Sequence, residues 1–377
     1  MKQYDPLLTL RAIACLMVFV GHGFAAIFIS DTLSSSIKYG GWLLTPSPWV
    51  GVWIFFVLSG YLMGKGFFMG RYAITKKGVG SYFINRLLKI VPLYWAVVFI
   101  CSALITPEIF HSNNLWMLWN ILLFNFDGTL PINPNGSLWT VSTEVHFYLI
   151  VPLLFSFFST VDRKRAFIFI SIALAAALAY RGIAVMIWGR EIWYTLIYTP
   201  TFANMDLFLT GFLLNPLILS YKTKIKNGIT IGFGLIALFY IFQAYVFAQA
   251  FVLGHHDVMI LLKGFGPTIT ALFTASAIVM FELGQRQGEY RLGRKTEIIG
   301  LLTYAIYVWH APILLAIKNV AVSIPDMWAA SALLAEGIFV VMVVSTISYY
   351  LIEVPFERRK ITTKLEKNAV RQINSVG

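Results

Sequence analysis

The chain has 377 residues, of which 58% are hydrophobic and only 12% are charged, whereas an ordinary soluble domain carries about 25% charged residues. Its mean hydropathy of +0.75 also excludes a typical soluble protein and favours a protein of the lipid bilayer. The net charge of +12 lies mainly in short loops between apolar segments, so it does not predict nucleic-acid binding. The two cysteines, Cys15 and Cys101, both lie in apolar stretches, and we expect neither a disulfide nor a metal site.

Ten segments are long and apolar enough to cross a bilayer, which needs about 20 mainly apolar residues. They predict an all-α polytopic membrane protein whose spans are residues 9–29, 50–68, 88–107, 138–159, 166–188, 198–219, 228–252, 258–283, 297–319 and 327–352. The first run shows no clear small-x-small cleavage site, so we interpret it as an uncleaved span. The shorter apolar stretch Leu115–Phe126 is predicted to be a re-entrant or interfacial helix.

The lysine and arginine residues are distributed as this division into spans and loops predicts. With the N-terminus in the cytoplasm, 22 of the 29 lysine and arginine residues fall in inner segments, as the positive-inside rule requires. Counting Leu115–Phe126 as a full span would place Arg163–Arg165 outside and break the pattern. We therefore expect both termini in the cytoplasm, a membrane domain over residues 1–357 and a basic cytoplasmic tail over residues 358–377.

Several ionisable residues fall inside the spans, where charge is costly and usually faces a cavity or a partner. Arg11 and His22 are eleven residues apart, so they share one helix face, with His22 about 16 Å further along the axis. Counted from the span ends, His22, Glu144, Asp206 and His310 all lie at a depth of about 20 Å from the inner face. Two imidazoles and two carboxylates in one layer predict an intramembrane acid–base site.

Other interpretations of these residues stay open. Each histidine or carboxylate also suits a helix–helix hydrogen bond, and each basic residue near the inner face also suits a topology anchor. A proton-coupled or ion-coupled transporter, with His22, Glu144 and Asp206 as its relay, is the main rival class; it predicts inverted repeats, and we see none in the sequence. A scaffold subunit of a polysaccharide machine is a third possibility, in which His22 would be dispensable.

Six elements, in order along the chain, resemble the acyltransferase-3 family. They are the Arg11–His22 spacing, FFVLSGYLMG at 55–64, INRLLKIVPLYW at 84–95, SLWTVSTEVHFYLIVPLL at 137–154, YAIYVWHAPI at 304–313 and LIEVPFE at 351–357. Lys89 stands where the family usually has Arg, Thr140 where it has Ser, and Leu8 where an Asp is common. Lys89 keeps the charge but loses the bidentate geometry of a guanidinium.

The resemblance implies a membrane O-acyltransferase of the cytoplasmic (inner) membrane that moves an acyl group, commonly acetyl from acetyl-CoA, to a hydroxyl of a glycan or lipid-linked sugar. Acyl-CoA would be a co-substrate and no cofactor would be tightly bound. Polysaccharide-assembly proteins are possible partners. Many relatives carry an esterase-like domain after the last span, and we expect none here because the sequence ends soon after Glu357.

Hydroxyl acylation by a thioester requires a base and donors that stabilise an oxyanion. We expect His22 to be the base or to be transiently acylated, Glu144 to orient it, and Arg11 to complete the catalytic group. Arg86, Lys89 and Ser59 are the expected acyl-CoA residues. The expected substrate-binding residues are Trp139, Ser142, Tyr148, His310 and Asp206. We also expect the aromatic residues of Leu115–Phe126 to stack on sugar rings at the outer mouth, unless they form only an interfacial belt.

Overall fold

The computed structural model describes residues 4–27, 41–44, 46–188, 193–221, 223–252, 255–284, 291–321 and 327–361. Twelve α-helices occur in these ranges: α1 Pro6–Ile27, α2 Pro48–Phe68, α3 Lys76–Ile105, α4 Leu115–Leu122, α5 Trp139–Phe158, α6 Arg163–Trp188, α7 Met205–Leu219, α8 Gly228–Phe247, α9 His256–Leu283, α10 Arg291–Ala321, α11 Met327–Ser348 and α12 Val354–Glu357. Ten candidate membrane spans occur in the described residues; α4 is not among them, and α12 forms the end of the tenth, Ala332–Glu357. The predicted all-α polytopic fold is confirmed.

The third span is longer than the sequence pattern predicted. It begins at Lys76 rather than at residue 88, because Thr75 caps the helix by accepting a hydrogen bond from the Gly78 amide and the polar stretch that follows continues the helix. This extension is partly exposed and basic, so hydropathy alone could not include it. Arg86 and Lys89 consequently lie on α3 itself, on a rigid element rather than in a loop.

The short helix α4 has eight residues and is too short to span, as expected. Its last carbonyls have no donor within the helix, and aromatic side chains of α3 satisfy two of them: Tyr94 Oη donates to Ile121 O at 2.9 Å and Trp95 Nε1 to Leu122 O at 3.1 Å.

The expectation that all four aromatic residues of Leu115–Phe126 are available for stacking is wrong for two of them. Phe124 and Phe126 are buried, and Phe124 packs on the Tyr94 ring with centroids 4.5 Å apart. Trp116 and Trp119 are exposed.

Glycines bring α2 and α7 into close contact. A Cβ on Gly60 would lie 2.0 Å from the Phe208 carbonyl oxygen, and one on Gly211 would lie 1.9 Å from the Val57 oxygen. Small residues at such crossings let helix backbones approach within a bilayer. The contact holds α2 against α7 while Ser59, next to Gly60 in the chain, lines an interior cavity.

Prolines within the spans free backbone carbonyls that side chains then satisfy. Proline lacks an amide hydrogen, so the carbonyl four residues earlier loses its helical donor. Before Pro152, the Tyr148 carbonyl accepts from Tyr82 Oη at 3.1 Å. Before Pro216, the Phe212 carbonyl accepts from Asn215 Nδ2 at 2.9 Å. Before Pro312, the Val308 carbonyl accepts from Asn135 Nδ2 at 2.8 Å. Two of these carbonyls belong to α5 and α10, the helices that carry the candidate site, so the same bonds hold the backbone beside Tyr148 and His310.

Candidate functional site

A cavity of about 360 Å³ lies between α1, α2, α3, α5, α10 and the residues that follow α12. Five cationic side chains line it: Arg11, Arg71, Arg86, Lys89 and Lys360. Arg71 lies in the loop before α3, Arg86 and Lys89 lie on α3, and Lys360 follows α12. One end of the cavity is therefore basic. The two carboxylates of the lining are Glu144 and Glu357.

The cations of the cavity differ in how far their charge is compensated. Lys89 Nζ lies 2.6 Å from Glu353 Oε2 and 2.9 Å from Glu357 Oε1. Neither Arg11 nor Arg86 forms an ion pair with any residue in the described ranges. The Glu144 carboxylate acts on both guanidinium groups at longer range, but a guanidinium that no carboxylate contacts is still costly inside an apolar bundle. Two such groups in one cavity indicate a site for an anionic ligand.

Lys360 belongs to a short segment after α12 that α3 holds in place. Asn85 on α3 accepts a hydrogen bond from the Ile361 amide at 2.7 Å and donates to the Ile361 carbonyl at 3.1 Å. Lys360 Nζ lies 2.9 Å from Glu357 Oε1. Partial burial lowers the pKa of Lys360, and the Glu357 carboxylate acts in the opposite direction. An anion bound in the cavity would raise this pKa and favour the charged amine.

Three hydrogen-bonded side chains form one wall of the cavity. Ser59 Oγ on α2 donates to Glu144 on α5, and Tyr148 Oη, one turn further along α5, donates to the other oxygen of the same carboxylate at 3.1 Å. Both oxygens of Glu144 therefore accept a bond. This places the predicted residues Ser59, Glu144 and Tyr148 together, next to Arg11 in the same lining.

At the end of the cavity away from Lys360, Thr140 on α5 contacts Tyr307 on α10. Thr140 Oγ1 lies 2.8 Å from Tyr307 Oη and 3.0 Å from Ser137 O, and its single hydrogen can go to only one of these oxygens. The Tyr307 hydroxyl has only a 3.5 Å contact, to Ser137 O, for its own hydrogen. When Thr140 donates to Tyr307, the Tyr307 hydroxyl hydrogen is left for a ligand in the cavity.

His22 and His310 form a directly hydrogen-bonded pair next to Tyr307. His22 Nδ1 lies 3.0 Å from His310 Nε2, the rings are stacked at 9°, and His310 Nδ1 lies 2.5 Å from the Tyr307 carbonyl oxygen. A carbonyl only accepts, so His310 Nδ1 carries the hydrogen. In the neutral ring His310 Nε2 is then an acceptor, and His22 Nδ1 must donate to it. This assignment leaves His22 Nε2 with a lone pair, the form that accepts a proton.

The expected pairing of Glu144 with His22 is not what the structure shows. The hydrogen-bond partner of His22 is His310, and the partners of Glu144 are Ser59 and Tyr148. The lining of the cavity includes Tyr307 but neither histidine. The common depth predicted for His22, Glu144, Asp206 and His310 was insufficient to predict their hydrogen-bond partners, because depth along a span does not specify which helices are neighbours.

Three other predicted residues lie away from the cavity. Asp206 Oδ1 accepts from Arg181 Nη2 at 2.7 Å in a buried ion pair, and its other oxygen has no partner in the described part of the chain. Trp139 packs against Tyr198 with ring centroids 4.7 Å apart. Ser142 is buried and bonds to the Leu138 carbonyl of its own helix. These contacts are structural, and none of the three lines the cavity.

Sequence reasoning missed four residues of this region: Arg71, Asn85, Tyr307 and Lys360. Arg71 and Lys360 were counted only as topology charges, because no sequence pattern distinguishes a loop cation that folds over a cavity from one that faces water. Tyr307 had a usable signal, since it precedes His310 by three residues and therefore lies on the same helix face.

A family model for an acyltransferase domain, that of the acyltransferase-3 family, matches residues 7–352. The O-acetyltransferase OatA of Staphylococcus aureus (strain NCTC 8325 / PS 47) is 25% identical over 388 residues, which cover 95% of this chain and 58% of that protein. The peptidoglycan O-acetyltransferase OatA of Listeria monocytogenes is 25% identical over 395 residues, covering 95% and 56%. Nodulation protein 10 of Rhizobium leguminosarum bv. viciae is 24% identical over 189 residues, covering 44% and 47%.

The chain thus spans less than two thirds of the length of these curated relatives. No solved structure gives a significant match.

Proposed function

The chain belongs to the acyltransferase-3 family, and on this premise we propose that it transfers an acyl group, acetyl from acetyl-CoA, to a hydroxyl of a glycan or lipid-linked sugar. The observation that carries the proposal is the cavity with two arginines that form no ion pair in the described ranges, together with a hydrogen-bonded histidine pair next to the Tyr307 wall. The names of the OatA relatives, O-acetyltransferases, support the acetyl group.

The basic end of the cavity suits the phosphates of coenzyme A. Arg86 is fixed on α3 and forms no ion pair in the described ranges, and guanidinium groups bind phosphate in a bidentate manner. Arg71 and Lys360 complete the ring of cations. Lys89 contributes less than the sequence suggested, because Glu353 and Glu357 already occupy its amine.

The wall of Ser59, Glu144 and Tyr148 suits the pantetheine arm. That arm carries two amide N–H groups, and a carboxylate is an acceptor for such donors. Bound in this direction, the arm carries the thioester from the cations towards Tyr307. There the Tyr307 hydroxyl would donate to the carbonyl oxygen of the thioester as negative charge develops on it.

His22 would act as the general base. Its Nε2 takes the proton of the acceptor hydroxyl as the oxygen attacks the thioester carbonyl, and the tetrahedral intermediate then expels the coenzyme A thiolate. The thiolate takes the proton from the imidazolium, so the products are the acyl ester and free coenzyme A. Tyr307 lines the cavity and the two histidines do not, so the thioester and the His22 ring must move closer together while the Tyr307 hydroxyl keeps its bond to the thioester oxygen.

The membrane sidedness is part of the proposal. The positive-inside rule places the loop of Arg71 in the cytoplasm, so acyl-CoA would enter from there, with both termini on the same side. The acceptor would reach the histidine pair from the opposite side. Exposed Trp116 and Trp119 on α4 are positioned by the same topology to contact sugars at the outer surface.

Binding of coenzyme A to the purified protein tests the donor site. We expect Arg86→Ala to weaken acetyl-CoA binding at least tenfold in titration calorimetry, and added salt to weaken binding by the wild type. Lys77→Ala is the matched control, because Lys77 lies on α3, is exposed and does not line the cavity. Equal affinities for the two variants and the wild type would refute the donor site.

Transfer across vesicles tests the reaction and its direction. The protein is reconstituted in a known orientation with radiolabelled acetyl-CoA on the cytoplasmic side and an acceptor glycan on the other. Labelled glycan on the acceptor side, lost in His22→Ala, is the expected result. Label on the acceptor only when both substrates share the cytoplasmic side would overturn the direction, and unchanged transfer by His22→Ala would overturn the mechanism.

A further inference from the structure

One face of α2 lines the cavity of the candidate site along most of that helix. The α2 residues of the lining recur every three or four positions, as one helix face requires: Val52, Phe55, Phe56, Ser59, Leu62 and Met63. Because α2 ends at Phe68, shortly before Arg71, Val52 lies at the end of the cavity away from the cations. It is about 10 Å further along the axis than Ser59 by the helical rise. The lining therefore continues well past the carboxylate wall.

This far end of the cavity is mainly apolar. Val52 and Phe56 on α2 and Val141 on α5 line it, and its polar groups are the hydroxyls of Thr140 and Tyr307. A sugar ring in this space would bury several hydroxyl groups without partners, which costs free energy, whereas an alkyl group has no such cost. The far end therefore suits the acyl group of the donor rather than the glycan.

The Phe56 ring at this end is backed by other packed rings. It stacks on Phe208 of α7 with centroids 4.7 Å apart, and Phe208 stacks on Phe147 of α5 with centroids 4.3 Å apart. All three side chains are buried. The backbones of α2 and α7 are already in contact at Gly60 and Phe208, so α2 cannot move towards α7 to make room. Close packing of this kind limits the space sharply, because an added methylene forces side chains out of their preferred positions.

We propose that this far end is the acyl pocket of the donor site, in which Phe56 and Val141 limit the donor to a short acyl group. The inference rests on the proposed function, since it requires coenzyme A to bind with its phosphates at the cations. The pantetheine arm then brings the thioester carbonyl to the Tyr307 hydroxyl, and the alkyl part of the acyl group lies against Val52, Phe56 and Val141. An acetyl group places one methyl group there, and each further methylene must displace packed side chains.

Affinities for free coenzyme A and for its acetyl, propionyl and butyryl thioesters test the pocket. Titration calorimetry on the purified protein measures them without any acceptor. One methylene in an apolar pocket changes discrimination about 10- to 200-fold, so the wild type should bind butyryl-CoA about tenfold or more weakly than acetyl-CoA. Val141→Ala removes two methyl groups and should bring the two affinities within about threefold of each other. Val141→Ile adds one methylene and should weaken binding of acetyl-CoA while leaving that of free coenzyme A unchanged.

Val151→Ala is the matched control, because Val151 is buried on the same helix and lies outside the lining. It should keep the acyl-length preference of the wild type, and its Tm shows what the loss of two buried methyl groups costs. If free coenzyme A did not bind the wild type, the donor site and the acyl pocket would both be overturned. If free coenzyme A bound and the three thioesters had equal affinities, the acyl pocket alone would be overturned. An unchanged preference in both Val141→Ala and Val141→Ile would overturn the assignment of Val141.

Discussion

Replacing His310 by phenylalanine tests whether it positions His22. The substitution keeps an aromatic ring against Phe19 and His22 but removes the Nε2 acceptor that lies 3.0 Å from His22 Nδ1. A buried donor left without its partner costs about 1–3 kcal/mol. The His22 ring can avoid that cost by moving its hydrogen to Nε2, and in this tautomer Nε2 no longer accepts a proton. At about 1.4 kcal/mol for each factor of ten, kcat should fall about 5- to 150-fold.

The assay separates a positioning role from a structural one. Initial rates of acyl transfer at several acetyl-CoA concentrations should show a lower kcat with KM for acetyl-CoA unchanged, because the cations of the cavity are untouched. His310→Gln offers an amide oxygen near the position of Nε2 and should restore most of the rate. The matched control is Trp309→Phe, which removes another buried hydrogen bond of α10, the one from Trp309 Nε1 to Ser348 Oγ at 3.0 Å.

Two results would refute this reasoning. If His310→Phe kept kcat within twofold of the wild type, the hydrogen bond would not select the tautomer of His22. If Trp309→Phe lowered kcat as much as His310→Phe while thermal stability fell equally, the effect would come from loosening α10. The tautomer itself can be read from nitrogen chemical shifts of protein labelled at histidine.

The other predictions concern the remaining buried contacts and the topology. Asp206→Ala should lower stability by about 3–5 kcal/mol, seen as a lower Tm in detergent, because it leaves the Arg181 guanidinium buried without its carboxylate; an unchanged Tm would contradict the pair's importance. Asn85→Ala should raise KM for acetyl-CoA several-fold with kcat unchanged, because the substitution releases the segment of Lys360 from the cavity. A variant with lower kcat and unchanged KM would contradict this role of the segment. In a background without native cysteines, Asp257→Cys should react with an impermeant outside reagent and a cysteine at Lys226 should not, and the reverse labelling would invert the topology.

Much of the fold followed from local sequence, because a bilayer span must be about 20 apolar residues long and its charged flanks obey a simple rule. The ten spans and the non-spanning Leu115–Leu122 helix were therefore predictable. The start of α3 was not, since a solvated helical extension has no hydropathy signal and depends on a cap at Thr75.

For the site, the sequence singled out Ser59, Glu144 and Tyr148 in three separate roles and placed His22 and His310 at one depth. Only the tertiary structure decided that His22 pairs with His310 and Glu144 with Ser59, and that Arg181 rather than a substrate meets Asp206. Helical periodicity determines which side chains share a face of one helix, but partners on different helices depend on which helices pack together. That packing depends on close contacts between segments far apart in the chain, such as Gly60 against Phe208, so it cannot be predicted from one segment alone.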